Sequence, residues 1–81
     1  RAAVEIKDNY PEAWFWLGRT LSALDRPRDS AEALEKSVEQ APGYAPAHLE
    51  LARRYAELGD RAAAERHLKR ARQLAPKYFL Q

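Results

Sequence analysis

Apolar residues recur at steps of three and four along most of the chain, which is the spacing of one face of an α-helix. Proline, glycine or aspartate stands between the apolar stretches. Proline suits the first turn of a helix, where its missing N–H costs nothing, and it ends a helix that reaches it. The pattern predicts helices at about 1–7, 11–24, 28–41, 45–58 and 61–75.

The helical pattern returns at a fixed spacing along the chain. Ala13, Leu17, Arg19 and Leu24 return as Ala47, Leu51, Arg53 and Leu58. Small residues also match small ones, with Gly18, Ser30 and Ser37 returning as Ala52, Ala64 and Ala71. Helical hairpins bury their apolar faces by stacking on their neighbours, and small residues permit close helix contacts. We therefore expect Gly18, Ala52, Ala64 and Ala71 at close contacts, with Trp14, Leu34 and Leu68 filling the core between them.

This 34-residue hairpin resembles the tetratricopeptide repeat, whose pattern is W-x2-L-G-x2-Y followed by small, aliphatic, small and proline positions. The first copy supplies Trp14, Leu17, Gly18, Leu21, Ser30, Leu34, Ser37 and Pro42. The second supplies His48, Leu51, Ala52, Tyr55, Gly59, Ala64, Leu68, Ala71 and Pro76. The sequence departs from the pattern at Leu21, Asp25 and His48, where Tyr, Gly and Trp are usual.

The resemblance implies an all-α solenoid of about two and a third repeats of antiparallel helix hairpins. It divides the single domain into the end of a preceding repeat at 1–10, repeats at 11–44 and 45–78, and the start of a following segment at 79–81. A tyrosine recurs just after each helix stop, and we expect it to pack the turn onto the next helix. These tyrosines are Tyr10, Tyr44 and Tyr78.

Composition narrows the class of protein. Apolar residues make up 46% and charged residues 32% of the 81 residues, which is typical of a soluble domain. No apolar run approaches the roughly 20 residues of a membrane span. The absence of Cys excludes disulfides and thiolate metal sites. The chain opens at Arg1 without Met, so we expect a fragment of a longer protein, with cytoplasm and periplasm both open. Arg outnumbers Lys ten to four and Ala is abundant, which suggests a bacterial source.

Catalytic and cofactor motifs are missing from the sequence. His48 and His67 are the only histidines, and neither has a second histidine at the spacing of metal ligands. There is no Gly-rich phosphate loop and no nucleophile elbow. Acidic residues stand beside basic ones at the spacing of a solvated helix face. We therefore expect no enzyme activity, no metal and no organic cofactor.

Charge differs between the two repeats. Residues 11–44 hold four basic and six acidic side chains, whereas residues 45–78 hold eight basic and four acidic ones. The basic stretch ERHLKRARQ at 65–73 lacks the interleaved aromatic residues that bind nucleic acid. A solvated outer face is the favoured interpretation, an acidic protein partner comes next, and nucleic acid is the least favoured.

The resemblance implies that the first helix of each repeat lines a concave groove that binds the ligand. The predicted partner-binding residues are Phe15, Trp16, Arg19, Leu49 and Arg53. Carboxylate-clamp members of the family carry Lys and Asn in this groove, and those residues are missing here, so a chaperone C-terminal tail is a poor candidate. For Phe15 the groove is favoured, whereas Trp16 could equally pack on Val4 and Ile6 of the preceding helix.

The sequence predicts a non-catalytic module for protein interaction or assembly, which binds a peptide or helix in its groove. One alternative is a helical repeat that binds nucleic acid. Another is the non-catalytic arm of a larger, multidomain protein or enzyme. We also expect the fragment to self-associate, because Phe79 and Leu80 leave an apolar end and solenoids usually carry polar capping helices.

Overall fold

A computed structural model describes residues 11–76, which form four α-helices and no strand. They are α1 at Pro11–Ala23, α2 at Pro27–Gln40, α3 at Ala45–Leu58 and α4 at Arg61–Leu74. Because α3 begins one repeat period after α1, and α4 begins one period after α2, the predicted all-α repeat architecture is confirmed. The predicted helix at 1–7 and the residues Tyr10, Tyr78, Phe79 and Leu80 lie outside the described residues. The exact division into repeats stays a prediction.

The helix ends follow the local chemistry of the sequence. Pro27 occupies the first turn of α2, where no N–H is needed. Gly59 closes α3 in the left-handed conformation, with φ of 86°. Asp60 then caps α4, because its carboxylate accepts a hydrogen bond from the Ala63 N–H at 3.1 Å. The loops between helices are therefore only a few residues long.

The helices pack as two antiparallel hairpins laid side by side. α1 packs on α2, α3 packs on α4, and α2 and α3 join the hairpins, with a smaller contact between α1 and α3. The main core cluster draws on α1, α2 and α3 and consists of Phe15, Ala31, Leu34, Val38, Ala47 and Leu51. From α4 come the small buried residues Ala63, Ala64 and Ala71. The first three helices therefore supply most of the apolar burial.

The first hairpin is held by close contacts between α1 and α2. Gly18 lies so near α2 that a Cβ atom there would stand 2.6 Å from Leu34 Cγ, which confirms the expected close approach. Ser30 Oγ donates a buried hydrogen bond to the Gly18 carbonyl at 2.6 Å, and Ser37 Oγ donates to the Pro11 carbonyl at 2.8 Å. Both serines are fully buried, so their hydroxyls need these partners.

The two large aliphatic positions of the repeat are not equivalent in burial. Leu34 is fully buried, whereas Leu68, its counterpart in the second repeat, is only partly buried. Trp14, a third expected core residue, is also only partly buried. The difference arises because α2 packs closely on both α1 and α3, whereas within residues 11–76 α4 packs closely on α3 and meets α2 through side chains such as His67 and Glu35. Leu34, and not Leu68, is therefore the central aliphatic residue of the core.

Asp25 closes α1 with φ of 63°, in the same left-handed conformation as its counterpart Gly59. A side chain disfavours this conformation, although Asp tolerates it better than most residues. We expect Asp25→Gly to raise the free energy of unfolding by about 0.5–1 kcal/mol, measured by urea denaturation. The matched change Gly59→Asp is expected to lower it by a similar amount. A loss of stability in Asp25→Gly would show that the exposed Asp25 side chain makes a contact that matters.

Candidate partner-binding groove

Trp16 and Arg19 form an exposed pair on α1. The Trp16 side chain is 57% exposed, although it is a large apolar group. The Arg19 guanidinium lies over its ring, 5.3 Å from the centroid. A cation over the face of an indole is attracted by the ring quadrupole, and the contact orients both side chains. This part of α1 therefore offers an apolar surface with a positive charge beside it.

Phe15 does not have the exposed position that the sequence suggested. Its side chain is only 5% exposed and belongs to the core cluster. Its ring meets the rings of Trp16 and Tyr44 edge to face, with both centroid distances at 5.3 Å. Tyr44 comes from the turn before α3 and covers Phe15, as expected for a tyrosine that packs an inter-repeat turn. Phe15 is thus a core residue beneath the groove and not a side chain free to meet a partner.

The two predicted partner-binding residues on α3 differ in solvent exposure. The Arg53 side chain is 61% exposed, and its Nη1 is 3.9 Å from Glu50 Oε2. A pair this long and exposed contributes little to stability. Leu49 is partly buried. Arg19 and Arg53 each contact side chains of their own helix, so each guanidinium is oriented separately.

Arg54, the neighbour of Arg53, connects α3 to α1. Its guanidinium donates to Ser22 Oγ on α1 and pairs with Glu50 at 3.4 Å and Glu57 at 3.1 Å. The Arg54 side chain is only 11% exposed. The spacing of Glu50 and Arg54 by four residues indicated an ion pair, but it gave no sign of the contact with α1. Arg54 thus connects the two helices that carry the predicted groove residues.

Glu12 adds a negative charge at the start of α1. Burial raises the pKa of the Tyr44 hydroxyl, and the nearby Glu12 carboxylate raises it further. The Tyr44 hydroxyl therefore stays uncharged at neutral pH. The predicted groove residues thus comprise an exposed indole and two guanidinium groups, with Glu12 on α1 and Glu50 and Glu57 on α3 as neighbouring carboxylates in the sequence.

A family model described as the tetratricopeptide repeat matches residues 23–79. The chain belongs to the tetratricopeptide repeat family. Such repeats generally mediate protein–protein interactions, and the family is typically a non-catalytic scaffold. No curated protein and no solved structure matches the chain.

This tetratricopeptide repeat protein brings its two histidines together, which the sequence did not predict. His48 on α3 and His67 on α4 face each other, with their Nδ1 atoms 3.1 Å apart. His67 Nε2 is 3.6 Å from Glu35 Oε2, and the Tyr55 hydroxyl donates to the same oxygen. Burial and Glu35 both raise the pKa of Tyr55. The one feature of the sequence that pointed here was His48 itself, at a position where the repeat usually has Trp.

A surface depression of about 670 Å³ lies beside this histidine cluster. Its lining combines apolar and charged side chains from α2, the end of α3 and the turn that follows. The lining residues are Arg28, Ala31, Glu32, Glu35, Lys36, Glu39, Tyr55, Leu58 and Asp60. None of the five predicted groove residues lines this depression of the tetratricopeptide repeat protein. The depression is thus separate from the surface of Trp16 and Arg19.

Two further features of the described tetratricopeptide repeats bear on chemistry. Within residues 11–76, no group of three or more His, Cys, Asp or Glu side chains is placed to hold a metal ion. In the same part of the chain, no helix combines the length and the apolar character needed to cross a membrane.

Proposed function

We propose that the chain is a non-catalytic module that binds a peptide or helix of a protein partner across α1 and α3. The proposed contact residues are Trp16, Arg19, Leu49 and Arg53, with Phe15 supporting Trp16 from the core. The observation that carries the proposal is Trp16, which is 57% exposed and held beside a guanidinium. Exposed tryptophans and arginines are the side chains that most often dominate the energy of protein interfaces.

The chemistry of this surface favours a particular kind of partner. The indole of Trp16 suits an apolar or aromatic anchor residue. The guanidinium groups of Arg19 and Arg53 can each hold a carboxylate through two parallel hydrogen bonds. Arg53 is bound to its own helix through the long contact with Glu50, so a ligand carboxylate can replace that contact at little cost. The partner segment is therefore proposed to carry an apolar residue flanked by Asp or Glu.

A displayed library of random peptides, selected on the chain, tests this proposal. The selected peptides are expected to share an apolar or aromatic residue next to an acidic one. Trp16→Ala should weaken their binding by at least about 1–2 kcal/mol, or roughly tenfold, because it removes the anchor contact. The double change Arg19→Glu with Arg53→Glu should abolish binding, while the helical melt stays within a few degrees.

The control is a second double change with the same charge difference, Arg61→Glu with Arg70→Glu, on exposed positions of α4. It should leave peptide binding unchanged. If this control abolishes binding while the α1 and α3 variant binds normally, the basic helix α4 is the site and the groove proposal is wrong. Binding of an RNA or DNA oligonucleotide with steep salt dependence would instead favour the nucleic-acid alternative. Phe15→Ala is unsuitable as a probe of binding, because it would remove a core side chain.

A further inference from the structure

The contact between His48 and His67 requires a specific distribution of protons. His48 Nε2 lies 2.8 Å from the Pro42 carbonyl oxygen, which can only accept, so His48 Nε2 carries a proton and donates it. The two Nδ1 atoms are 3.1 Å apart, so one of them donates and the other accepts. One proton, and no more, lies between the two rings.

It follows that the histidine pair can hold no more than one positive charge while the contact lasts. With both rings charged, both Nδ1 atoms would carry a proton, and two N–H groups would face each other. Such a pair has no hydrogen bond and repels electrostatically. His48 is 7% exposed, so its ring cannot turn to solvent without opening the packing around it.

Charged groups from three directions face the pair. From α2, Glu35 Oε2 is 3.6 Å from His67 Nε2 and favours a single charge on the pair. From α3, the Tyr55 ring stacks on His67 with centroids 5.7 Å apart, and its hydroxyl donates to Glu35. From α4, Arg66 opposes any positive charge on His67. The carboxylate of Asp60, in the turn between α3 and α4, helps to raise the pKa of Tyr55.

We propose that His48, His67 and Glu35 form an acid-sensitive latch that holds α4 against α3 in the second hairpin and opens in mildly acidic solution. The latch joins four elements. They are α2 through Glu35, the turn between the hairpins through the Pro42 carbonyl, and α3 and α4 through the two rings. Charging both histidines breaks the contact between α3 and α4. Because this proposal concerns the packing inside the second hairpin, it does not depend on the partner proposed for the groove.

The direction of the pH dependence follows from proton binding. In the unfolded chain both histidines titrate near pH 6.5 and take up two protons. Burial lowers the pKa of His67 in the folded state. Glu35 raises this pKa in part, whereas His48 and Arg66 lower it further. The folded state thus binds fewer protons than the unfolded one. The stability from the latch is present above about pH 6.5 and is lost as the pH falls through the lowered pKa of His67.

The size of the effect follows from the number of protons. For each additional proton that the unfolded state binds, the unfolding constant rises by up to about tenfold when the pH falls by one unit. Exposed carboxylates titrate near pH 4 and do not contribute strongly above pH 5. The window from pH 7.5 to 5.0 therefore isolates the histidines.

NMR titration of the two imidazoles in the unaltered chain tests the latch without any substitution. We expect two separate steps, with one of them clearly below pH 6.5. Urea unfolding over the same range should show an unfolding constant that is constant near pH 7.5 and rises by about tenfold per pH unit below 6.5. Two histidines that titrate together near pH 6.5, as in an unfolded peptide, would overturn the proposal.

Variants separate the latch from other titrating groups. In His67→Gln the side-chain amide can still donate to His48 Nδ1 but cannot titrate, so the rise in the unfolding constant below pH 6.5 should be reduced at least severalfold. Glu35→Gln should make the rise below pH 6.5 steeper, because the pair loses the carboxylate that favours its single charge and the folded state then binds fewer protons. The control Glu39→Gln removes an exposed carboxylate from the same helix and should leave the profile unchanged. An undiminished pH profile in His67→Gln would mean that the histidine pair is not the latch.

Discussion

Leu34→Ala is expected to lower the free energy of unfolding by about 2–5 kcal/mol, through lost apolar burial and the cavity that remains. The Leu34 side chain has 0% accessible surface and lies in the core cluster, where three helices meet. Small domains have total stabilities of about 5–15 kcal/mol, so the variant should lose a large share of its stability and melt at a clearly lower temperature. Circular dichroism during heating measures the loss.

The matched change Leu68→Ala affects the equivalent position of the second repeat. We expect it to cost less than Leu34→Ala, because Leu68 is partly exposed and part of its cavity can fill with water. From the sequence alone the two leucines were expected to be equal core residues. Equal losses in the two variants would contradict the packing described for α2 and α4. A helical Leu34→Ala chain that melts like the unaltered one would contradict the core itself.

Gly18→Ala is the second change with a large expected effect. Alanine favours a helix over glycine by about 1 kcal/mol, so the substitution would stabilise an open site. Here the new Cβ would lie 2.6 Å from Leu34 Cγ and 2.8 Å from Leu34 Cδ2, with the Ser30 carbonyl oxygen 3.3 Å away. Since Leu34 is fully buried, it cannot move aside without displacing other core residues. We expect a net loss of about 1–3 kcal/mol from overpacking, measured by urea denaturation.

The reverse change at the equivalent position, Ala52→Gly, is the control for helix propensity. Ala52 is already accommodated at 7% exposure, so removing its methyl group should cost about 1 kcal/mol from propensity with a small cavity term. A stabilised Gly18→Ala chain would show that α1 and α2 can separate freely, contrary to their packing here.

The repeat and its helix boundaries could be predicted because they depend on local sequence. The repeat period, the proline positions and an N-capping aspartate act over short stretches, and they gave each end of the four described helices to within a single position. The close contact at Gly18 was predicted in the same way, since only a small residue fits where hairpin helices touch.

The details of the site depend on contacts between residues distant in the sequence, and these were harder to predict from the sequence. Phe15 is buried because Tyr44, in the turn before α3, covers its ring, and nothing in the helix of Phe15 indicates this. Arg53 and Arg54 differ by one step of about 100° around α3, so which of them meets α1 is decided by how the hairpins stack. The histidine pair likewise forms only when α3 and α4 bring positions 48 and 67 together.

The two buried serines of the first hairpin make it resist sliding of one helix along the other, and the second hairpin has no such bonds at the equivalent positions. Ser30 and Ser37 attach α2 to backbone carbonyls of α1 at two points. A sliding movement of α2 along α1 would break both bonds and leave two buried hydroxyls without partners, at about 1–3 kcal/mol each. The counterparts Ala64 and Ala71 have no hydroxyl, so α4 can shear along α3 without that penalty. Neither serine bond titrates, so this resistance to sliding does not change with pH, and adjustments in the curvature of the repeat array are expected to fall to the second hairpin.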